Sequence, residues 1–271
     1  MCLAVLALRS IPGVPVLVAA NRDEFHARPT APAARWPGEP AIHAGRDLRA
    51  GGTWMGATQD NRFALVTNYR EPGRNRADAP SRGALVEGWL RSTDTAGEYL
   101  ARLHAEGERY NGFNLIVGDA GRAWYYGNRG GAPRELPAGI HGLSNHLLDT
   151  PWPKLVRVRQ AFGRLIAQAG PGLPATRALH AMLHDRTPAA DAELPRTGLS
   201  LERERMLGSP FIVSPDYGTR ASTVLALHAE GGGELHERRY DPQGLAVGDS
   251  DLSWGRWADQ ADLADQSAQR R

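Results

Sequence analysis

The only cysteine of this 271-residue chain stands at position 2, directly after the initiator methionine. A small second residue permits removal of Met1, which would leave a thiol and a free α-amine on Cys2. Such an amine titrates near ~8 and a thiol near ~8.5, so close to neutral pH the amine can act as the thiol's own base. No histidine partner is then needed. The competing reading is a small buried residue of an edge strand, since free cysteines are often only packing. A second constellation is Asn21-Arg22-Asp23-Glu24, which follows an apolar run directly. If a hairpin returns this segment to the chain start, an arginine there favours a thiolate and a carboxylate holds an α-ammonium. Four polar residues after a strand also suit a solvated turn, and both readings stand at this point.

The elements that must bring these residues together are legible from periodicity. Cys2 to Arg9 and Val14 to Asn21 read as two strands around the turn Ser10-Ile11-Pro12-Gly13. Residues 27–40 are rich in proline and read as a long surface loop. Further hairpins are expected for Thr53–Ala57 with Arg62–Tyr69, Gly112–Gly118 with Arg122–Gly127, and Ala221–His228 with Glu234–Tyr240. Helical spacing appears over Ala84–Arg91, Thr95–Ala105, Lys154–Ala169 and Ala175–His184, with a short helix at Leu201–Leu207. Strands thus come as hairpins at both ends of the chain, with helices between them. That arrangement argues an α+β fold of antiparallel sheets rather than βαβ units, in a single domain over residues 1–271 with a polar tail after about residue 257.

Composition narrows the function classes. The apolar share of 41% suffices for a sizeable core, and the net charge is only +2. Arginine supplies nearly all the positive charge, Lys154 being the single lysine. Charges of both signs alternate along the chain without a basic block, which argues against a nucleic-acid partner. No run approaches the roughly 18 apolar residues of a membrane helix, and no signal peptide is recognisable, so the cytoplasm is expected. One cysteine excludes a disulfide framework within the chain and a cysteine-rich zinc site. His180 and His184 share a helical spacing that could ligate a metal, but no third ligand accompanies them, and no metal is expected. His141 and His146 flank Asn145 and could line a pocket.

The opening Met1-Cys2-Leu3-Ala4 with Asn21-Arg22-Asp23-Glu24 resembles the NRDE family, whose best-known eukaryotic members are the Transport and Golgi Organisation 2 proteins. Further matching motifs are Gly51-Gly52-Thr53-Trp54, Val66-Thr67-Asn68-Tyr69-Arg70, Ser81-Arg82-Gly83 and Tyr110-Asn111-Gly112-Phe113-Asn114-Leu115. Gly142-Leu143-Ser144-Asn145, Leu148-Asp149-Thr150-Pro151-Trp152-Pro153-Lys154 and Tyr217-Gly218-Thr219-Arg220 follow in the same order. The resemblance implies a four-layer αββα sandwich like that of the N-terminal-nucleophile (Ntn) hydrolases, particularly the cysteine amidases of bile-salt and penicillin amides. It implies Cys2 as nucleophile, Asn68 as oxyanion-hole donor, Asn145 as a second polar site residue and Arg220 as a late site arginine. Arg22 and Asp23 correspond to an early arginine and aspartate, with Glu24 as the alternative counterpart of the aspartate. Asn21, Glu24, Trp54, Tyr69, Arg70 and His146 are the accompanying ligand-binding candidates.

Two functions follow from the resemblance. One is hydrolysis of a small amide or acyl thioester, with no cofactor required. The other is binding and transfer on the same scaffold, either of transient non-covalent haem or of acyl-coenzyme A. Haem would call for an axial histidine or the Cys2 thiolate. The phosphates of acyl-coenzyme A would call for Arg22, Arg70 and Arg220.

Overall fold

The structure is a computed structural model describing residues 3–255, so Cys2 lies outside the described residues. The chain opens with β1 (Leu3–Ile11) and β2 (Val14–Phe25), then β3 (Thr30–Trp36), β4 (Ile42–Asp47), β5 (Met55–Thr58) and β6 (Phe63–Asn68). Two helices follow, α1 (Gly83–Arg91) and α2 (Ala96–Glu106). Strands β7 (Phe113–Gly118), β8 (Ala123–Gly127), β9 (Arg134–Glu135) and β10 (Gly139–Leu143) precede helices α3 (Pro153–Ala169), α4 (Thr176–Leu183) and α5 (Leu201–Met206). The chain closes on β11 (Tyr217–Leu227), β12 (Gly233–Tyr240) and β13 (Ala246–Trp254).

Among the described residues the strands form two antiparallel sheets. One has the order β10-β1-β2-β11-β12-β13, the other β3-β4-β5-β6-β7-β8-β9. The period-2 alternation of β1 explains how they stack. Leu3, Val5 and Ala7 point outward to Leu155, Val158 and Phe162 of α3 and Leu179 and Leu183 of α4. Ala4, Leu6 and Leu8 point inward to Met55, Phe63, Leu65 and Ile116 of the second sheet. That sheet turns Ala64, Val66, Leu115 and Val117 outward to Leu85, Trp89 and Leu90 of α1 and Leu100 of α2. The result is a helix, sheet, sheet, helix sandwich with one inner and two outer apolar clusters. No helix among the described residues is long and apolar enough to cross a membrane.

Two expectations need correction. Residues 27–40 are not loop throughout, because β3 occupies Thr30–Trp36. It is an edge strand whose register shifts between Ala31 and Ala34, and Pro32 sits exposed inside that shift, where a missing N–H costs no ladder bond. The second strand does not stop at Asn21 but continues to Phe25, paired with Tyr217–Ala221 of β11. Asn21-Arg22-Asp23-Glu24 is therefore strand, not turn. Strands β4, β10 and β13 carry no hairpin signal of their own and add to the expected set.

Candidate functional site: a two-lobed cleft at the end of β2

Strand alternation divides the Asn21–Glu24 segment between two faces. Leu3, the first described residue, pairs with Asn21, so this polar stretch borders the entry of β1. Asn21 is fully buried on the helix side. Its amide donates to Leu183 O at 2.8 Å and Pro210 O at 3.0 Å, and its oxygen accepts from Ser222 Oγ at 2.6 Å. Asn21 thereby knits β2 to α4 and β11 and lines neither of the two cavities described below. On the same face Asp23 accepts from Thr219 Oγ1 at 2.7 Å. Arg22 points the other way, between the sheets, with its guanidinium 4.4 Å from the centre of the Trp54 ring. Trp54 can lie there because residue 45 is glycine: a Cβ at Gly45 would come within 2.4 Å of the indole.

Arg22 is only 3% exposed. Its nearest carboxylate among the described residues is Asp47, at 3.6 Å from Nη2, and Nη1 is buried with no hydrogen-bond partner among them. Burial lowers its pKa, opposed in part by Glu24 and Asp47. Asp47 itself is claimed by Arg28 at 2.6 Å. Its carboxyl sits below the usual range: burial alone would raise it, but the Arg28 contact and the Ala50 and Arg49 amides outweigh that. Glu24 caps its own strand end through Phe25 N, at 2.9 Å.

These side chains wall a cavity of about 530 Å³ that also includes Arg49, Arg76 and Arg82. Five arginines there face three carboxylates, Asp23, Glu24 and Asp47. A second cavity of about 590 Å³ is lined by Tyr69, Leu199, Met206, Leu207 and Pro215 among others. Phe25, Asn68, Asn75 and Tyr217 line both. The two are lobes of one cleft, one cationic and one largely apolar.

Asn68, at the junction, is held by Asn145. Asn145 Nδ2 donates to Asn68 Oδ1 at 2.9 Å and to Asn68 O at 3.3 Å. These two bonds fix the Asn68 carboxamide at the junction of the lobes. The Asn145 turn is in turn fixed by β6 and β7. Thr67 Oγ1 donates to Ser144 O at 2.9 Å, and Asn114 Nδ2 donates to His146 O at 2.9 Å. Tyr125 OH completes this by donating to Asn114 Oδ1 at 2.7 Å, and its burial pushes the phenol pKa up to about 12. Arg70 donates from its backbone to Asn145 O at 2.7 Å, stacks 4.7 Å from the Trp152 ring centre, and pairs with Glu204 Oε2 at 2.7 Å.

His146 does not line the cleft. Thr150 Oγ1 donates to Leu147 O, so at 3.0 Å it accepts from His146 Nδ1, and Nε2 is left to accept from Tyr69 OH at 2.8 Å. Burial lowers the His146 pKa, which favours this neutral form. His141 is likewise committed, to Asp149 and Pro137 O. Arg220 sits at the register shift of β11 and spends Nη1 on three carbonyls, those of Phe25, His26 and Arg28. It clamps the chain leaving β2 rather than lining either lobe. His184 stacks on Phe211 at 4.0 Å, while His180 is buried and held to a pKa of about 4 chiefly by desolvation.

Of the sequence candidates, the structure gathers Arg22, Asp23, Glu24, Trp54, Asn68, Tyr69 and Arg70 around the cleft, with Asn145 directly behind. It sets Asn21, His146 and Arg220 in the supporting framework. Sequence reasoning missed Phe25, Arg28, Asp47, Arg76, Met206 and Glu204. A signal existed for Arg82, which lies in the Ser81-Arg82-Gly83 motif. A Cβ at Gly52 would lie 2.5 Å from the Gly83 backbone, so the two glycine motifs exist to let loop 51–54 and the start of α1 touch.

The sequence profile described as Transport and Golgi organisation 2 matches residues 1–242. The Transport and Golgi organization protein 2 homolog of Bos taurus is 39% identical over 239 residues, covering 82% of this chain and 86% of the relative. The Homo sapiens homolog is 36% identical over the same shares. Among solved structures, a point variant of conjugated bile acid hydrolase from Clostridium perfringens superposes with a TM-score of 0.50 over 93% of this chain and 96% of that one, at 10% identity. That likeness shows the fold, the two-sheet sandwich of the Ntn hydrolases. By profile and by identity over most of its length, the chain belongs to the Transport and Golgi organisation 2 family.

Proposed function

We propose that the chain is an Ntn hydrolase in which Cys2, freed by removal of Met1, cleaves a small amide or acyl thioester bound across the cleft. The observation that carries this reading is the Asn68–Asn145 amide pair at the junction of two lobes, beside the strand end that borders the entry of β1. In this reading the α-amine takes the thiol proton, and Cys2 Sγ adds to the acyl carbonyl. The Asn68 NH2 donates to the oxyanion, where one such donor is worth on the order of 3 kcal/mol. The C–N or C–S bond to the leaving group then breaks, and the leaving amine or thiolate takes the proton from the ammonium. Water attacks the acyl-enzyme, passing its proton to the α-amine. The carboxylic acid departs and Cys2 is restored. A reduced thiol is required throughout, which suits the cytoplasm.

Intact mass spectrometry after brief exposure to an acyl substrate tests the proposal. Met1 should be absent and an acyl adduct present, and Cys2→Ala should carry no adduct and show no turnover. Retained methionine in an active preparation, or equal activity in the variant, would overturn it.

The surplus of arginine in one lobe favours a second reading, a carrier of an anionic ligand such as acyl-coenzyme A without turnover. Haem carriage is less well supported, because both nitrogens of His146 are spent on Tyr69 and Thr150. Native mass spectrometry of the freshly purified protein distinguishes the readings. A retained, unmodified ligand supports a carrier, and a covalent acyl group supports the hydrolase.

A further inference from the structure

The two lobes differ in chemistry, and that difference has a consequence for what spans them. The buried Arg22 guanidinium is only partly compensated, by Asp47 at 3.6 Å, the Trp54 ring, and the charges of Glu24 and Glu237, so an anion in contact with it is favoured. Asp47 gives its closer contact to Arg28, and Arg22 Nη1 has no hydrogen-bond partner among the described residues. Arg49 adds a further cation to the same wall, while Arg76 is turned to the carbonyls of Glu108 and Arg109. The opposite lobe offers Leu199, Met206, Leu207 and Pro215; of its charged lining residues, Arg70 is paired with Glu204 and Glu71 with Arg129, and Arg203 and Asp216 complete the set, while Phe25 and Tyr217 meet edge to face at 5.3 Å between the lobes. A molecule filling both passes the residues they share, Phe25, Asn68, Asn75 and Tyr217.

We infer that the ligand is an acyl compound of fixed orientation: its apolar acyl group lies against Met206 and Leu207, and an anionic leaving group lies against Arg22. This rests on the cleft being the substrate site and deepens that reading by assigning the substrate's polarity. The carbonyl, between the two parts, falls at Asn68. The simplest such amide is an N-acylated amino acid, whose carboxylate is two bonds from the scissile nitrogen. A thioester carrying phosphates presents the same anionic chemistry from another source.

Binding to the full chain carrying Cys2→Ala, where turnover does not intrude, is measured by calorimetry with four probes. These are N-dodecanoylglycine, its uncharged isostere N-dodecanoylglycinamide, N-acetylglycine, and dodecanoyl-coenzyme A. The glycine conjugate should bind about tenfold or more tighter than the glycinamide, as one charge-assisted hydrogen bond provides. It should also exceed N-acetylglycine by a larger factor, since the longer chain buries ten more methylenes. Arg22→Gln should bring glycine and glycinamide to within about twofold, while Met206→Ser weakens both dodecanoyl ligands alike. Tighter binding of the coenzyme A ester than of the glycine conjugate would assign the anion to phosphate. If neither anionic dodecanoyl ligand binds more tightly than the glycinamide, the inference fails, and that result needs neither Arg22→Gln nor Met206→Ser to fold. Cleavage by the wild-type chain separates this failure from that of the hydrolase. Glycinamide cleaved as efficiently as glycine would overturn the polarity alone, whereas selective binding without cleavage would overturn the hydrolase alone.

Discussion

Arg22 lies under two opposing demands: burial, with the cations of Arg220 and Arg28, disfavours its charge, while Glu24 and Asp47 favour it. A cation bordering the chain start stabilises a thiolate, so Arg22→Gln should raise the pH at which Cys2 reacts with iodoacetamide. Because the chain has one cysteine, the rate of alkylation against pH reports that thiol alone. An unshifted profile in a folded variant would remove Arg22 from the electrostatics of the thiol. Asn68→Ala should cost about a hundredfold in turnover with little change in melting temperature, a loss read directly from initial rates. A negligible loss would assign Asn68 to structure. His43 illustrates a residue whose burial shows in pH dependence. It stacks on Trp254 at 4.2 Å with neither ring nitrogen bonded, and burial holds its pKa down to about 4. The folded state therefore binds its proton less readily than the unfolded chain, which takes it up near ~6.5. The stability His43 allows is intact above that value and is lost progressively as the pH falls from about 6.5 towards 4. His43→Phe, which keeps the stack, should flatten the fall in melting temperature over that window.

At the scale of the element, the length of β2 decides the site. Had the strand ended at Asn21, Arg22 would be solvated; pairing with β11 instead drives it between the sheets onto Trp54. Gly45→Ala, by displacing that indole, should weaken any anionic ligand without touching an arginine, as a titration against N-dodecanoylglycine would show. The short helix α5 is tied to the site by a single buried ion pair, Arg70 with Glu204, whose side chains are 7% and 4% exposed. Glu204 also accepts from Thr197 N at 3.1 Å, so it closes the 197–204 loop onto β6. Glu204→Ala leaves Arg70 buried and unpaired and should cost about 3–5 kcal/mol, measured by urea unfolding. The double variant Glu204→Leu with Arg70→Met should recover much of that loss, because the pair's desolvation cost disappears with it.

Across the whole molecule, the inner apolar cluster draws on both sheets, while each outer cluster belongs to one sheet and its helices. Phe162 of α3 and Trp89 of α1 are almost completely buried in opposite outer clusters. Phe162→Ala and Trp89→Ala should each destabilise by about 3–5 kcal/mol. Because the inner cluster couples the sheets, circular dichroism and tryptophan fluorescence should still report one coincident transition for each variant. Two separated transitions would mean that the halves of the sandwich unfold independently.

Period-2 apolar runs, turn residues and helical spacing are local properties, and they sufficed for β1, the first part of β2, the later hairpins and α1 to α4. The ordered motifs likewise marked Arg22, Trp54, Asn68 and Asn145 before any coordinates. Three things were not local. The edge strands β3 and β13 are made by their partners, since an edge strand with proline or alternating charges shows no pattern until a neighbour supplies the ladder, and the short β4 forms between β3 and β5. The role of Arg220 depends on three carbonyls nearly two hundred residues away in sequence, so a motif arginine that looks like a site residue acts as a clamp. The cleft itself exists only where β2, the β4–β5 loop, the loop after β6 and the α5 segment converge. Residue types alone determined that the chain's one thiol stands at position 2 and that its strands pair as antiparallel hairpins with helices between them. Only long-range packing decided which arginine is buried with one guanidinium nitrogen unbonded among the described residues, and which amide stands where the two lobes meet.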